Sequence, residues 1–116
     1  MRHQKNKVTL DRKTGPRAAL LAGLAESLIL YEKINTTKAK AKAVRPIVER
    51  MITKAKVKSL STKRDLESRL YTKNTVKKLI EELGPRYLER KGGYTRTTML
   101  KNRVGDGAEE VLIELV

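Results

Sequence analysis

Residues 34–56, INTTKAKAKAVRPIVERMITKAK, decide how this chain reads. Ala41, Val44, Val48, Met51, Ile52 and Ala55 recur at spacings of mostly three and four, which stacks them on one side of an α-helix. Lys38, Lys42 and Arg45 fall at spacings of four and three on a different side. One helix therefore carries both a core stripe and a cationic face. Thr37 stands where a cap is needed, and the helix is expected to run to about Lys56. Pro46 lies inside it. An interior proline removes an N–H and crowds the preceding turn at a cost of about 3 kcal/mol, so a kink or break is expected near Arg45. The residues just upstream, Lys33 to Thr36, read as a short edge strand.

Working outward, Leu20, Leu21, Leu24, Leu28 and Tyr31 form the apolar face of an earlier helix, Pro16 to Tyr31. Thr14 is its expected cap, and Pro16 suits a first turn. Residues 1–13, MRHQKNKVTLDRK, have no apolar period and read as a basic arm that orders on a partner. Downstream, Ser59 to Ser61 marks a turn. A third helix is expected from Thr62 to Tyr71 with Leu66 and Leu70 inward. Asn74 can cap a fourth, with Val76, Leu79, Ile80 and Leu83 on one face. Gly84-Pro85 should end or bend it, with Tyr87 and Leu88 continuing the turn. Gly92-Gly93 breaks the chain before a strand from Tyr94 to Leu100. Gly105-Asp106-Gly107 reads as a tight turn into a final strand, Val111 to Val116, giving a hairpin. The expected architecture is α+β: one domain, residues 14–116, with a small antiparallel sheet backed by about four helices.

Charge narrows the function. The 116 residues hold 27 Lys+Arg against 13 Asp+Glu, a formal net charge of +14. Residues 1–64 contain 17 basic and 4 acidic residues, whereas residues 65–116 contain 10 and 9. Self-repulsion of this size is relieved by a polyanion, with nucleic acid first and an anionic membrane second. The longest apolar stretch, Ala18 to Ala25, is far short of the ~20 residues of a spanning helix. No apolar leader opens the chain, so a cytoplasmic protein is expected.

Catalysis finds few tools. There is no Cys and one His, so neither a Cys–His pair nor a nitrogen/sulfur metal site can be assembled. Glu81, Glu82, Glu109 and Glu110 read as solvated carboxylates. Gly92-Gly93 precedes a strand and lacks the spacing of a phosphate loop. No enzyme activity, metal, cofactor or small-molecule substrate is expected.

The basic residues fall into three groups. The arm supplies Arg2, Lys5, Lys7, Arg12, Lys13 and Arg17, with His3 among them. The central helix supplies Lys38, Lys40, Lys42 and Arg45. The hairpin region supplies Arg90, Lys91, Arg96, Lys101 and Arg103, with Gly92, Gly93 and Tyr94 between them. These are the candidate RNA-binding residues, each neutralised phosphate releasing counterions. With four Tyr and no Phe or Trp, stacking platforms are scarce, which favours reading a folded RNA by backbone and shape. A nucleoid or regulatory DNA-binding protein is the alternative. The central helix shows mainly Lys and Ala where a row of polar base-reading residues would be required.

The same stretches carry a resemblance. The opening MRH, LDR at 10–12, Arg17-Ala18, the run at 34–56, GGYTR at 92–96, GD at 105–106 and the terminal IELV at 113–116 follow one another as in the bacterial large-subunit ribosomal protein L17 family. The resemblance implies a three-stranded antiparallel sheet packed on helices and tolerance of Pro46. It implies a structural role on large-subunit ribosomal RNA beside neighbouring ribosomal proteins, one copy per ribosome, with no homo-oligomer and no membrane. Two departures stand out. Thr14-Gly15-Pro16 replaces a Ser/His-rich segment. After GGYTR, Thr97 to Leu100 displaces the next basic residue to Lys101. The least family-like stretch is Lys58 to Lys73.

Overall fold

The computed structural model describes residues 8–116. Helix α1, Thr14–Tyr31, leads into strand β1, Lys33–Thr37, and helix α2, Lys38–Ala55. Helix α3, Leu60–Arg69, and helix α4, Lys73–Lys78, follow. A π-helical turn, Leu79–Leu83, and one last α-turn, Gly84–Arg86, extend α4. Strands β2, Thr95–Asn102, and β3, Glu109–Leu115, close the chain. The sheet is antiparallel in the order β1-β3-β2. The expected α+β domain, edge strand and hairpin are all present.

Pairing register sets the two faces of the sheet. Met99 lies opposite Val111 and Thr97 opposite Ile113, while Ile34 pairs with Ile113 from the other edge. Side chains at opposed positions share a face, so these residues turn toward the helices. Lys33, Glu114 and Arg96 form a row on the opposite face. The core joins the α2 stripe (Ala41, Val44, Val48, Met51, Ile52 and Ala55, all buried as expected) to Leu28 and Ile29 of α1, Leu66, Leu79, Leu83, Tyr94 and Ile113.

Several local expectations are corrected. Lys13, not Thr14, precedes α1, because the Arg17 N–H already bonds the Lys13 carbonyl at 3.0 Å and draws Thr14 into the first turn. The buried side of α1 is rotated toward Ala25, Leu28 and Ile29, with Leu21 and Leu24 partly buried. Tyr31 is 72% exposed. There Glu32 takes a left-handed φ of 64° and its N–H bonds the Leu28 carbonyl at 2.8 Å, turning the chain away into β1. Thr37 does precede α2, but its side chain makes no cap bond. The expected break in α2 is absent: the helix runs on through Pro46. Both Lys42 and Pro46 are exposed, so the carbonyl that loses its partner can take water instead.

Ser59 is a cap rather than a turn residue, its hydroxyl accepting from the Thr62 N–H at 3.1 Å, and α3 starts at Leu60. Asn74 does not cap α4; Thr72 holds that position. A carboxylate from α1 holds the connection just ahead of the helix. Glu26 accepts from the Tyr71 N–H at 2.6 Å, the Thr72 N–H at 2.8 Å and the Thr72 hydroxyl at 3.2 Å. Gly84-Pro85 does not stop the helix, which continues to Arg86. Gly84 is buried against α2; a Cβ there would lie 2.5 Å from the Ala55 carbonyl oxygen. The wide π turn just before it fits a helix steered over that contact. Tyr87 is buried and Leu88 exposed. The hairpin loop is longer than a tight turn. It spans residues 103–108, closed by the Arg103 N–H to the Ala108 carbonyl at 2.8 Å and the Gly107 N–H to the Arg103 carbonyl at 3.0 Å.

Candidate nucleic-acid interface

Helix α2 lies alongside β2. At one end of this contact the Thr53 and Tyr94 hydroxyls meet at 3.3 Å, and Glu49 accepts from the Thr95 hydroxyl at 3.2 Å. Toward the other end the two elements part into a groove of about 600 Å³. Lys38, Lys42, Arg45 and Glu49 line its α2 side, Thr97 and Met99 its β2 side, and Ala41, Pro46 and Val111 its floor. A second cleft of about 410 Å³ continues from it past Lys38 and Lys42 to Ala108 and Glu109. The cationic face read from residues 34–56 is thus assembled as expected, on a concave and partly apolar surface.

The cations there are loosely held. Lys38 sits 3.5 Å from Glu109 and Arg45 4.0 Å from Glu49, all but Glu49 well exposed. Such pairs contribute little and exchange readily for a stronger anion. Lys42 makes no ion pair among the described residues. Lys40 is on the far side of α2, because residues two apart on a helix diverge.

The hairpin cations behave differently. Arg96 donates through Nε at 3.1 Å and Nη2 at 2.9 Å to Glu114 Oε1. Its register places it on the sheet face away from the groove. Arg103 forks onto Asp106, Nε to Oδ1 at 3.1 Å and Nη2 to Oδ2 at 2.5 Å. That fork, joined by the Ala108 N–H, holds the Asp106 carboxyl down to about 2. Lys101 is exposed on the same hairpin. Arg90, Lys91, Gly92 and Gly93 are exposed beyond the other end of β2. Gly93 adopts φ 62°, a left-handed turn that suits glycine. The Arg90 Nε donates to the Gly92 carbonyl at 3.3 Å, and Lys56 bonds the Arg90 carbonyl.

Two candidates are withdrawn from the surface. Tyr94 is 1% exposed, its ring 5.1 Å from that of Tyr87 and its hydroxyl 3.1 Å from the Arg90 carbonyl. It fastens β2 to α2 as a core residue. Arg17 is 9% exposed and donates to the Arg12 carbonyl at 3.2 Å and the Thr14 hydroxyl at 3.4 Å, folding the end of the arm onto α1. Arg12 and Lys13 are exposed beside it. Arg2, His3, Lys5 and Lys7 lie outside the described residues.

The reading from sequence passed over a further cationic cleft. Arg50 and Lys54 of α2 and Arg69 of α3 line a space of about 200 Å³ with Ile47 and Met51. Asp65 pairs with Lys54 at 2.6 Å and Arg69 at 3.5 Å, and the Lys54 bond heads the causes that lower its carboxyl. The i,i+4 spacing of Arg50 and Lys54 was the available signal; the partner on α3 was not.

Fold and surface together define a small basic α+β protein with cation-lined grooves. No group of His, Cys, Asp and Glu suited to a metal ion occurs among the described residues, and no helix there is long and apolar enough to cross a membrane. The family model for Ribosomal protein L17 matches residues 20–116, and the chain belongs to that family. The Large ribosomal subunit protein bL17 of Solibacter usitatus is 51% identical over 116 residues, covering all of this chain and 77% of the relative. The protein of the same name from a Hydrogenobaculum species is 48% identical over 117 residues, covering all of this chain and 99% of the relative. That of Amoebophilus asiaticus is 48% identical, with this chain covering 60% of its length.

Proposed function

We propose that this protein is a structural component of the bacterial large ribosomal subunit, binding folded large-subunit ribosomal RNA through phosphate contacts. The observation that carries the reading is the α2 groove, where Lys38, Lys42 and Arg45 converge with only weakly held partners. The exposed hairpin cations add phosphate contacts of their own, and the arm, residues 1–13, orders on the RNA. A concave cationic surface with an apolar floor suits a backbone followed by shape rather than by base edges. Neighbouring large-subunit proteins are its other partners, and it acts by binding in the cytoplasm, as one copy, without catalysis. Family membership supports this role through relatives named as large-subunit proteins.

The test is co-sedimentation of the tagged full chain with large subunits in a gradient at high salt. Retention at a salt level that strips loosely bound basic proteins is expected. Loss from the subunit together with comparable binding to duplex DNA overturns the assignment in favour of a DNA-binding protein.

A further inference from the structure

Four tyrosines are the only aromatic residues of this chain, and the structure divides them. Tyr87 and Tyr94 are core, whereas Tyr31 and Tyr71 are 72% and 71% exposed. A single exposed ring is ordinarily unremarkable. Tyr71 differs in how it is held. Leu70, with φ −116° and ψ 148°, and Thr72, with φ −109° and ψ 139°, are extended on either side of a bend at Tyr71. Leu70 is buried at 5% exposure, while the Tyr71 ring beside it stands in solvent. On its other side Thr72 is tied to Thr75, hydroxyl to hydroxyl at 2.5 Å. The Glu26 carboxylate grips the backbone N–H groups of both Tyr71 and Thr72 from α1. The clasp thus fixes the backbone from which the exposed ring projects, where the core gains nothing from it.

The charge around the ring gives the ligand class. Arg69 and Lys73 flank it in sequence, with Lys77 one helical turn beyond Lys73. Arg69 also borders the Arg50–Lys54 cleft. The nearby acids are largely engaged or outnumbered: Asp65 is held by Lys54 and Arg69, Glu26 by the clasp, and Glu67 and Glu81 share the α3–α4 groove with Lys63, Lys73 and Lys77. Tyr31, by contrast, adjoins Glu32, whose carboxylate pairs with Arg86 and Lys78 in a structural cluster. An exposed aromatic face on a fixed backbone, with cations two residues to either side in sequence, matches an unpaired base with its phosphates: the ring stacks on the base and the cations hold the backbone.

We infer that Tyr71 is a stacking site for an unpaired nucleobase of the bound RNA, lying outside the three basic groups recognised from sequence. This rests on the RNA-binding reading above and adds a contact that does not depend on charge. Stacking releases no counterions, so losing it weakens binding without altering the salt dependence.

The experiment measures affinity of the full chain for deproteinised bacterial large-subunit RNA across a salt series, comparing Tyr71→Leu, Tyr71→Phe and Lys42→Ala. Tyr71→Leu is expected to weaken binding roughly fivefold to a hundredfold at every salt concentration, with a parallel slope. Tyr71→Phe should stay within about twofold, since the face rather than the hydroxyl is used. Lys42→Ala should lower the slope. Thermal melts of the variants check that the clasp stays folded. Wild-type affinity in Tyr71→Leu with a lowered slope in Lys42→Ala overturns the stacking site and leaves the RNA reading standing. Failure of the wild-type chain to bind this RNA at any salt concentration overturns the RNA reading itself. Intact RNA binding with loss of neighbouring proteins from reconstituted subunits makes the ring a protein contact and overturns the inference.

Discussion

Helix α2 and strand β2 wall the same groove, yet the cations of α2 and the two arginines of the β2 hairpin, which lie outside that groove, are in opposite conditions. On α2, Lys42 has no ion-pair partner among the described residues, and Lys38 and Arg45 have loose, exposed ones. On the β2 hairpin, Arg96 and Arg103 are each tied by two hydrogen bonds to Glu114 and Asp106. A phosphate meeting α2 replaces water. One meeting either arginine of the hairpin must also displace a carboxylate already aimed at it, Glu114 from the neighbouring strand or Asp106 from the loop. Counting basic residues treats the two groups as equal, and the structure shows that they are not. Arg96 braces β2 against β3, and Arg103 braces the loop between them.

The largest test of this contrast removes the connection between the walls. Tyr94→Ala takes a buried ring from between β2 and α2 and should destabilise the fold by about 3–5 kcal/mol. Denaturant unfolding measures it; a loss under about 1 kcal/mol would mean that β2 is held by its ladder alone. Next, Lys42→Ala combined with Arg45→Ala should lower the salt slope of RNA binding by about two, at roughly 0.9 for each phosphate contact on duplex nucleic acid. Arg96→Ala should lower it by about one at most, because Arg96 must leave Glu114 to contribute. An unchanged slope removes Arg96 from the proposed interface, whereas an equal loss per residue from α2 and from the hairpin breaks the contrast. The smallest effect concerns pH. The Asp106 carboxyl is depressed to about 2, so its bond to Arg103 is fully formed above the ordinary carboxylate range. It is lost as pH falls through about 2. Carboxylate titration by NMR should place the Asp106 midpoint there, and a midpoint near 4 would release Arg103 from its brace.

Legibility followed the range of the forces involved. Residues 34–56 were readable nearly residue by residue. The stripe from Ala41 to Ala55 is buried as its period requires, and Lys38, Lys42 and Arg45 share one face. Both properties belong to a single helix. Residues 70–87 were misread in detail, because their caps and bends are set by distant partners. Glu26, 45 residues away from Tyr71, holds the connection into α4, and the Ala55 carbonyl selects glycine at position 84. Nothing local distinguishes such a glycine from one that ends a helix.

Charge, period and turn residues within the sequence therefore determined the class of fold, the excess of positive charge and the cationic face of α2, since each depends on composition or on residues a few positions apart. Only the tertiary structure decided which of those cations are loosely held, that Tyr94 belongs to the core and that Tyr71 does not. Burial and pairing are relations between segments far apart in the chain, and they exist only once those segments have packed.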